Sequence, residues 1–228
     1  MTTDDKKIEC YSYLAFLYNK FTEYHTAEEL LKKAISLGRD DLWIHSELGY
    51  CLGELNKLEE SLEHYLRAIE IEPSNTWLLF QIAWTYRCLG RYEEAIEKIN
   101  RALEVDEEDK DKDMSYIYSQ LGFCKKQLEE YDEAIEAFKQ AKKWGRNDAW
   151  INVELGECYR LKNEIKKALE CNLEAEKFDK KDPYIMSDIA WFYDNLEQYK
   201  EGLKYVKKAI KLGRNDSWIN VEYGACLA

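Results

Sequence analysis

The sequence predicts an all-α protein built as a stack of helical hairpins, and three observations carry that expectation. Small residues recur on a 34-residue register along nearly the whole chain. Apolar residues within each period fall at helical spacing. The composition leaves little material for strands and turns, with two prolines and ten glycines in 228 residues. Hydrophobic residues, at 46%, are numerous enough to order the chain throughout.

The register is clearest at Ala34, Ala68, Ala102, Ala141, Ala175 and Ala209, which are 34 residues apart except for one step of 39 between Ala102 and Ala141. Seven residues before each stands a second small position: Ala27, Ser61, Ala95, Ala134, Ala168 and Gly202. Earlier in each period comes an apolar residue followed by a small one: Leu14-Ala15, Leu48-Gly49, Ile82-Ala83, Leu121-Gly122, Leu155-Gly156, Ile189-Ala190 and again Tyr223-Gly224. In chain order the units are 8–41, 42–75, 76–109, 115–148, 149–182 and 183–216. A partial seventh covers 217–228, and residues 1–7 are left as a flexible N-terminal segment.

Each unit reads as two helices. In the third, Tyr92, Ala95, Ile96, Ile99, Ala102 and Leu103 share one helical face, and Glu93, Glu94, Glu97, Lys98 and Arg101 take the other. Leu89-Gly90-Arg91 supplies the turn before it. Small residues belong where helix axes cross, because a bulky side chain there pushes them apart. Helices this short are marginal alone, so each hairpin needs its neighbours for burial.

These residues resemble the tetratricopeptide repeat family, whose 34-residue unit carries W-x2-L-G-x2-Y, then A-x3-F, a small residue and P. The third unit matches with Ile82-Ala83 and Tyr86, Ala95, Ile99 and Ala102. The fourth matches with Leu121-Gly122, Tyr131, Ala134, Phe138 and Ala141, and the fifth with Leu155-Gly156, Tyr159, Ala168 and Ala175. Pro73 closes the second. The resemblance implies a right-handed α–α superhelix in one domain. Two departures stand out. The family's Trp position holds His45, Leu79 or Tyr118, while Trp43, Trp77, Trp150 and Trp218 stand two places earlier. The 110–114 interval also lengthens one connection. A longer echo, 107 residues apart, relates Trp43-Ile44 to Trp150-Ile151 and Trp84 to Trp191, and suggests a duplicated three-hairpin block.

The first helices carry a second stripe beside their core stripe. In unit three, Trp77, Phe80, Trp84 and Arg87 flank the core residues Leu78, Ile82, Tyr86 and Leu89. Unit two has Trp43, Glu47 and Tyr50 in the same places, and unit four Tyr116 and Phe123. Unit five has Trp150, Glu154 and Glu157, and unit six Tyr184, Asp188 and Trp191. A helix with two such stripes has two packing partners, or one packing partner and one ligand. The resemblance implies that first helices line a concave groove where peptides or partner helices lie. Mid-helix Trp84 and Trp191 are assigned to that groove. Trp43, Trp150 and Trp218, at helix starts, either floor it or pack on the adjacent hairpin.

The expected function is a non-catalytic scaffold that binds a protein or peptide through an aromatic, acidic groove. The expected partner is an apolar segment carrying basic residues. A peptide-sensing regulatory segment of a larger protein is the first alternative, and a helical-repeat RNA binder the second. The net charge of −12 speaks against nucleic acid and anionic membranes, since the field repels phosphate. Members of the family that clamp a chaperone's C-terminal carboxylate use Lys and Asn where Ser12 and Phe16 stand, so no chaperone clamp is expected. Lys20 and Arg87 are the only groove-side bases read in the first three units.

No cofactor, metal or catalytic residue is expected. Cys51, Cys124, Cys158 and Cys226 share one small buried position, and His25, His45 and His64 show no metal-ligand spacing. The run Asp109–Asp113 resembles the start of a calcium loop, but Met114 stands where glycine should follow. Seven cysteines without a CxxC pair and no apolar leader point to the cytoplasm. Trp218 and Val221 leave an apolar outer face near Ala228, which suggests a fragment of a longer repeat protein.

Overall fold

The computed structural model describes residues 3–105 and 114–216, together with Ile219 and Gly224. Among the described residues are twelve α-helices and no strand: α1 (Thr3–Lys20), α2 (Tyr24–Ser36), α3 (Leu42–Glu54), α4 (Leu58–Ile71), α5 (Thr76–Cys88), α6 (Tyr92–Glu104), α7 (Met114–Gln127), α8 (Tyr131–Lys143), α9 (Ala149–Leu161), α10 (Ile165–Phe178), α11 (Pro183–Asn195) and α12 (Tyr199–Lys211). Consecutive helices pack as six hairpins, matching the six full units in the sequence. By packing, the chain divides into two compact units, Met1–Lys112 and Asp113–Ala228. The division falls at the 110–114 interval and gives each unit three hairpins. The acidic run 109–113 lies outside the described residues, as do Trp218, Cys226 and most of the partial seventh repeat.

The N-terminal segment departs from expectation. Helix α1 begins at Thr3 and takes in residues 3–7. Asp4 and Asp5 sit in its first turn, where the helix dipole favours acids, and Lys7 bridges back to Asp4 at 3.0 Å.

First and second helices start differently. Asp41, Asn75, Asp148 and Asp182 cap α3, α5, α9 and α11, each accepting from a backbone amide of the first turn. The second helices have no side-chain cap. They follow a tight turn whose residue at positive φ is Thr22, Asn56, Gly90, Glu129, Asn163 or Glu197. The next residue donates its amide to the carbonyl five positions back, as Arg91 does to Tyr86 at 2.9 Å, which satisfies the end of the first helix.

Between hairpins, Gly38, Gly145 and Gly213 adopt φ near 100°, a region closed to residues with a Cβ. Each is followed by an arginine whose amide closes the preceding helix, Arg39 on Ala34, Arg146 on Ala141 and Arg214 on Ala209.

The register alanines Ala34, Ala68, Ala102, Ala141, Ala175 and Ala209 are all 0% exposed. Gly122 shows why a small residue is needed at the other crossing: a methyl group there would lie 2.8 Å from the Phe138 ring. Gly49 meets Tyr65 in the same way. The side chain filling this level is Leu31, Tyr65, Ile99, Phe138 or Val206 in five hairpins and Asn172 in the fifth, all buried. Contacts of α1 with α3 and of α7 with α9 show that the first helices form the layer in which alternate helices meet.

Candidate functional site

In the first unit, the first-helix face is built from α1, α3 and α5. Trp43 is half-buried, and the Arg39 guanidinium lies over its ring at 4.5 Å from the centroid. Arg39 is held by Asp41, the α3 cap, at 2.8 Å. With Glu9, Ser12 and Phe16, Arg39 and Trp43 line an open cavity of about 430 Å³. Arg39 must therefore be added to Lys20 and Arg87 as a base on this face. Tyr50 meets Tyr24 edge-on at 6.2 Å, and Trp77, 47% exposed, meets Tyr65 edge-on at 6.0 Å. Phe80, Trp84 and Arg87 are half-buried. Trp84 packs over α3, where a methyl at Gly53 would come within 4.0 Å of it.

The second unit repeats the arrangement with more contacts. Trp150 meets Phe138 of the preceding hairpin edge-on at 6.0 Å and stacks with Phe123 at 6.5 Å. Arg146 lies over both Trp150, at 4.8 Å, and Tyr116, at 5.4 Å, while pairing with the cap Asp148. Trp77 and Trp150 thus pack on the preceding hairpin at a helix start, on Tyr65 and Phe138. Glu154 is bonded by Lys126 at 2.5 Å, and Glu157 by Arg160 through two bonds of 2.6 Å. The Arg160 pair holds the Glu157 carboxyl below its ordinary range, against the opposing effect of burial. Tyr184 is 63% exposed beneath Arg214 at 4.8 Å.

Asp188 differs from the other acids on this face. Burial pushes its carboxyl up to about 6, opposed by Arg214 and Arg160 and reinforced by Glu157 and Asp182. It lines a cavity of about 370 Å³ together with Trp191, Asn172 and Arg160. The expected residues thus assemble as two groups in this unit: Tyr116, Phe123, Trp150 and Glu154, and then Asp188 with Trp191.

Sequence reasoning missed the bases. Arg39, Arg146 and Arg214 sit in inter-hairpin loops, and helix-face reading passes over loops. The signal was present as Gly-Arg-x-Asp at 38–41, 145–148 and 213–216. It also missed that His45 and His64 meet: their Nδ1 atoms are 2.9 Å apart, and His45 Nε2 lies 2.7 Å from Asp40. Cys51, Cys124 and Cys158 are buried as expected. Burial pushes the Cys51 and Cys158 thiols up to about 12, far from a reactive thiolate. No helix among the described residues is long and apolar enough to cross a membrane.

Two models of the tetratricopeptide repeat match the chain, one at residues 40–108 and the other at 115–148 and 184–216. A model of anaphase-promoting complex subunit 5 matches residues 1–62. No curated protein matches. Among solved structures, pilF of Pseudomonas aeruginosa is similar at 17% identity and a TM-score of 0.73, covering 98% of this chain and 97% of that one. YrrB, described as a TPR protein with an unusual peptide-binding site, is similar at 21% identity and a TM-score of 0.68, over 85% of this chain and 97% of that one. One chain of the APC/C hetero-tetramer Cut9-Hcn1 is similar at 12% identity and a TM-score of 0.68, with 96% of this chain on 42% of that one. At these identities the likeness shows the fold alone, an α–α superhelix.

Proposed function

We propose that this chain, which belongs to the tetratricopeptide repeat family, is a non-catalytic scaffold that binds a protein or peptide segment along its first-helix face. The observation that supports this most is the state of the aromatics on that face. Trp43, Trp77, Trp84, Phe123, Trp150 and Trp191 all stop short of full burial, although each touches the fold on one side. Partly exposed Trp rings held rigid by packing lose little entropy on binding and commonly dominate interface energy. YrrB, a similar fold described as having a peptide-binding site, is consistent with such a use.

The charge pattern narrows the partner. Lys126 and Arg160 occupy Glu154 and Glu157, so much of the acidity is consumed within the protein. The half-buried Asp188 is left as a strong attractor for a basic residue within an otherwise apolar segment.

The test is capture from lysate with the intact chain, followed by identification of the bound segment by mass. Trp84→Ala and Trp191→Ala are expected to lose at least tenfold in affinity for that segment while keeping the helical circular dichroism. Undiminished binding by both variants, or equal unfolding by both, would remove the groove reading.

A further inference from the structure

Asn172 breaks a rule that the other hairpins keep. Where they bury Leu31, Tyr65, Ile99, Phe138 or Val206, α10 places an amide that is 2% exposed. Gly156, the counterpart of Gly122, faces this amide instead of an aromatic ring. The ring pairs that close the same level elsewhere, Tyr65 with Trp77 and Phe138 with Trp150, have no equivalent here. Tyr184, at the matching helix start, stands out against Arg214. The missing ring leaves the cavity of about 370 Å³ between α9, α10, α11 and the turn after α12.

Two of the residues lining that cavity carry acceptors without donors. Asn172 Nδ2 donates to the Ala168 carbonyl at 3.2 Å. A carbonyl can accept only from the NH₂ end, so the amide's orientation is set and Oδ1 is left buried with no partner. Among the described residues, Asp188 also makes no hydrogen bond or ion pair. The cavity's cations are already matched by acids: Arg160 by Glu157 and Arg214 by Asp216 at 2.9 Å. A cavity with unmatched acceptors and matched cations calls for a positively charged donor and disfavours an anion.

We propose that this cavity is a lysine pocket, taking an alkylammonium head on Asn172 Oδ1 and the Asp188 carboxylate. The aliphatic stem lies along Val153, Trp191 and Phe192, which supply the apolar lining. An ammonium suits the site better than a guanidinium for two reasons. Its three donors can reach acceptors on two separate helices, whereas the guanidinium fork wants both on one carboxylate. The aromatic face on which a guanidinium would stack is also occupied, since Arg160 lies over Trp191 at 5.8 Å. The pocket rests on the reading of the first-helix face as a segment-binding surface, and it names the side chain that surface selects.

The test titrates the intact chain by NMR, following the Asn172 side-chain amide and the Trp191 indole. The probes are Nα-acetyl-lysine N-methylamide, n-butylammonium, the uncharged Nα-acetyl-norleucine N-methylamide, and acetate. Blocked lysine is expected to bind with a dissociation constant on the order of millimolar, as befits so small a ligand. The norleucine analogue should bind at least tenfold more weakly. Asn172→Leu, which fills the space as Leu31 does in the first hairpin, and Asp188→Asn should each weaken lysine at least tenfold with helicity retained. Blocked lysine binding more tightly than n-butylammonium supports a protein segment as the source, and equal binding supports a free amine in the same pocket. Equal binding of norleucine, stronger binding of acetate, or unchanged lysine affinity in both variants would overturn the proposal. Because the probes are small, that failure is separable from the groove's: loss of the captured segment by Trp84→Ala would still stand.

Discussion

Asp188→Asn should stabilise the protein, and the size of the effect follows from where the carboxylate sits. Burial raises its pKa from the ordinary 3.8 to about 6, so the fold favours the neutral acid over the charged form. The interval corresponds to about 3 kcal/mol of differential interaction. The sign follows from linkage. A raised carboxyl pKa gives stability that is fully present below about pH 4 and is lost as pH rises through about 6. Asparagine imitates the acid form at every pH. The variant should therefore match the wild type near pH 4 and exceed it by ~2–3 kcal/mol at pH 7.5. Urea unfolding followed by circular dichroism, on both proteins from pH 4 to 8, measures this as a difference in which the other carboxylates cancel. A difference that stays flat across that range, or a variant less stable at pH 7.5, would refute the reasoning. A charge retained at such a cost is what a binding site leads one to expect, and a saturating lysine probe should restore part of the deficit to the wild type alone.

Three further outcomes follow from the same geometry. Loss of segment binding by Trp84→Ala and Trp191→Ala, at unchanged helicity, checks the groove by titration of the captured partner. Gly122→Ala puts a methyl 2.8 Å from the Phe138 ring and should cost ~1–3 kcal/mol in urea unfolding, with Trp150 fluorescence altered through its contact with that ring. His64 is held below its ordinary pKa by burial and by His45, with Glu63 and Glu60 opposing and Lys32 assisting. Its share of stability is thus present above about pH 6.5 and lost as pH falls through its lowered value. His64→Phe should flatten the pH dependence of first-unit unfolding between pH 5 and 7, and an unchanged slope would count against it.

Much of the architecture was legible because the repeat imposes the same packing constraint again and again. A residue such as Ala102 is small because two helices cross at it, and the register that marked it also marked five other alanines that prove fully buried. Cys51, Cys124 and Cys158 were placed by the same reasoning. A duplicated three-hairpin block is what the 107-residue echo suggests, and the helices pack as two compact units of three hairpins each. The extent of α1 was missed because residues 3–7 carry no apolar period, and their helix rests on dipole and ion-pair effects.

The candidate site was legible only in part. Aromatic stripes at helical spacing assigned Trp43, Trp84, Trp150 and Trp191 to the first-helix face, and all four are half-buried. The electrostatics were not legible. Arg39 and Arg146 reach the aromatics from loops shaped by Gly38 and Gly145, and a long flexible side chain leaves no trace in a helical period. Lys126 finds Glu154 across 28 residues because neighbouring hairpins stack. His45 and His64 meet because α3 and α4 fold back on each other.

By itself, then, the sequence determined the hairpins, their number and the faces they bury, since helical period and repeat period are both written along the chain. The tertiary structure decided which charges neutralise one another and where the packing fails. Asn172 reads as one polar residue among many on a second helix, and only its position against Gly156 shows it to be a buried amide with a bare oxygen. Periodicity encodes average burial, whereas a site depends on the single position at which a repeated contact is not made.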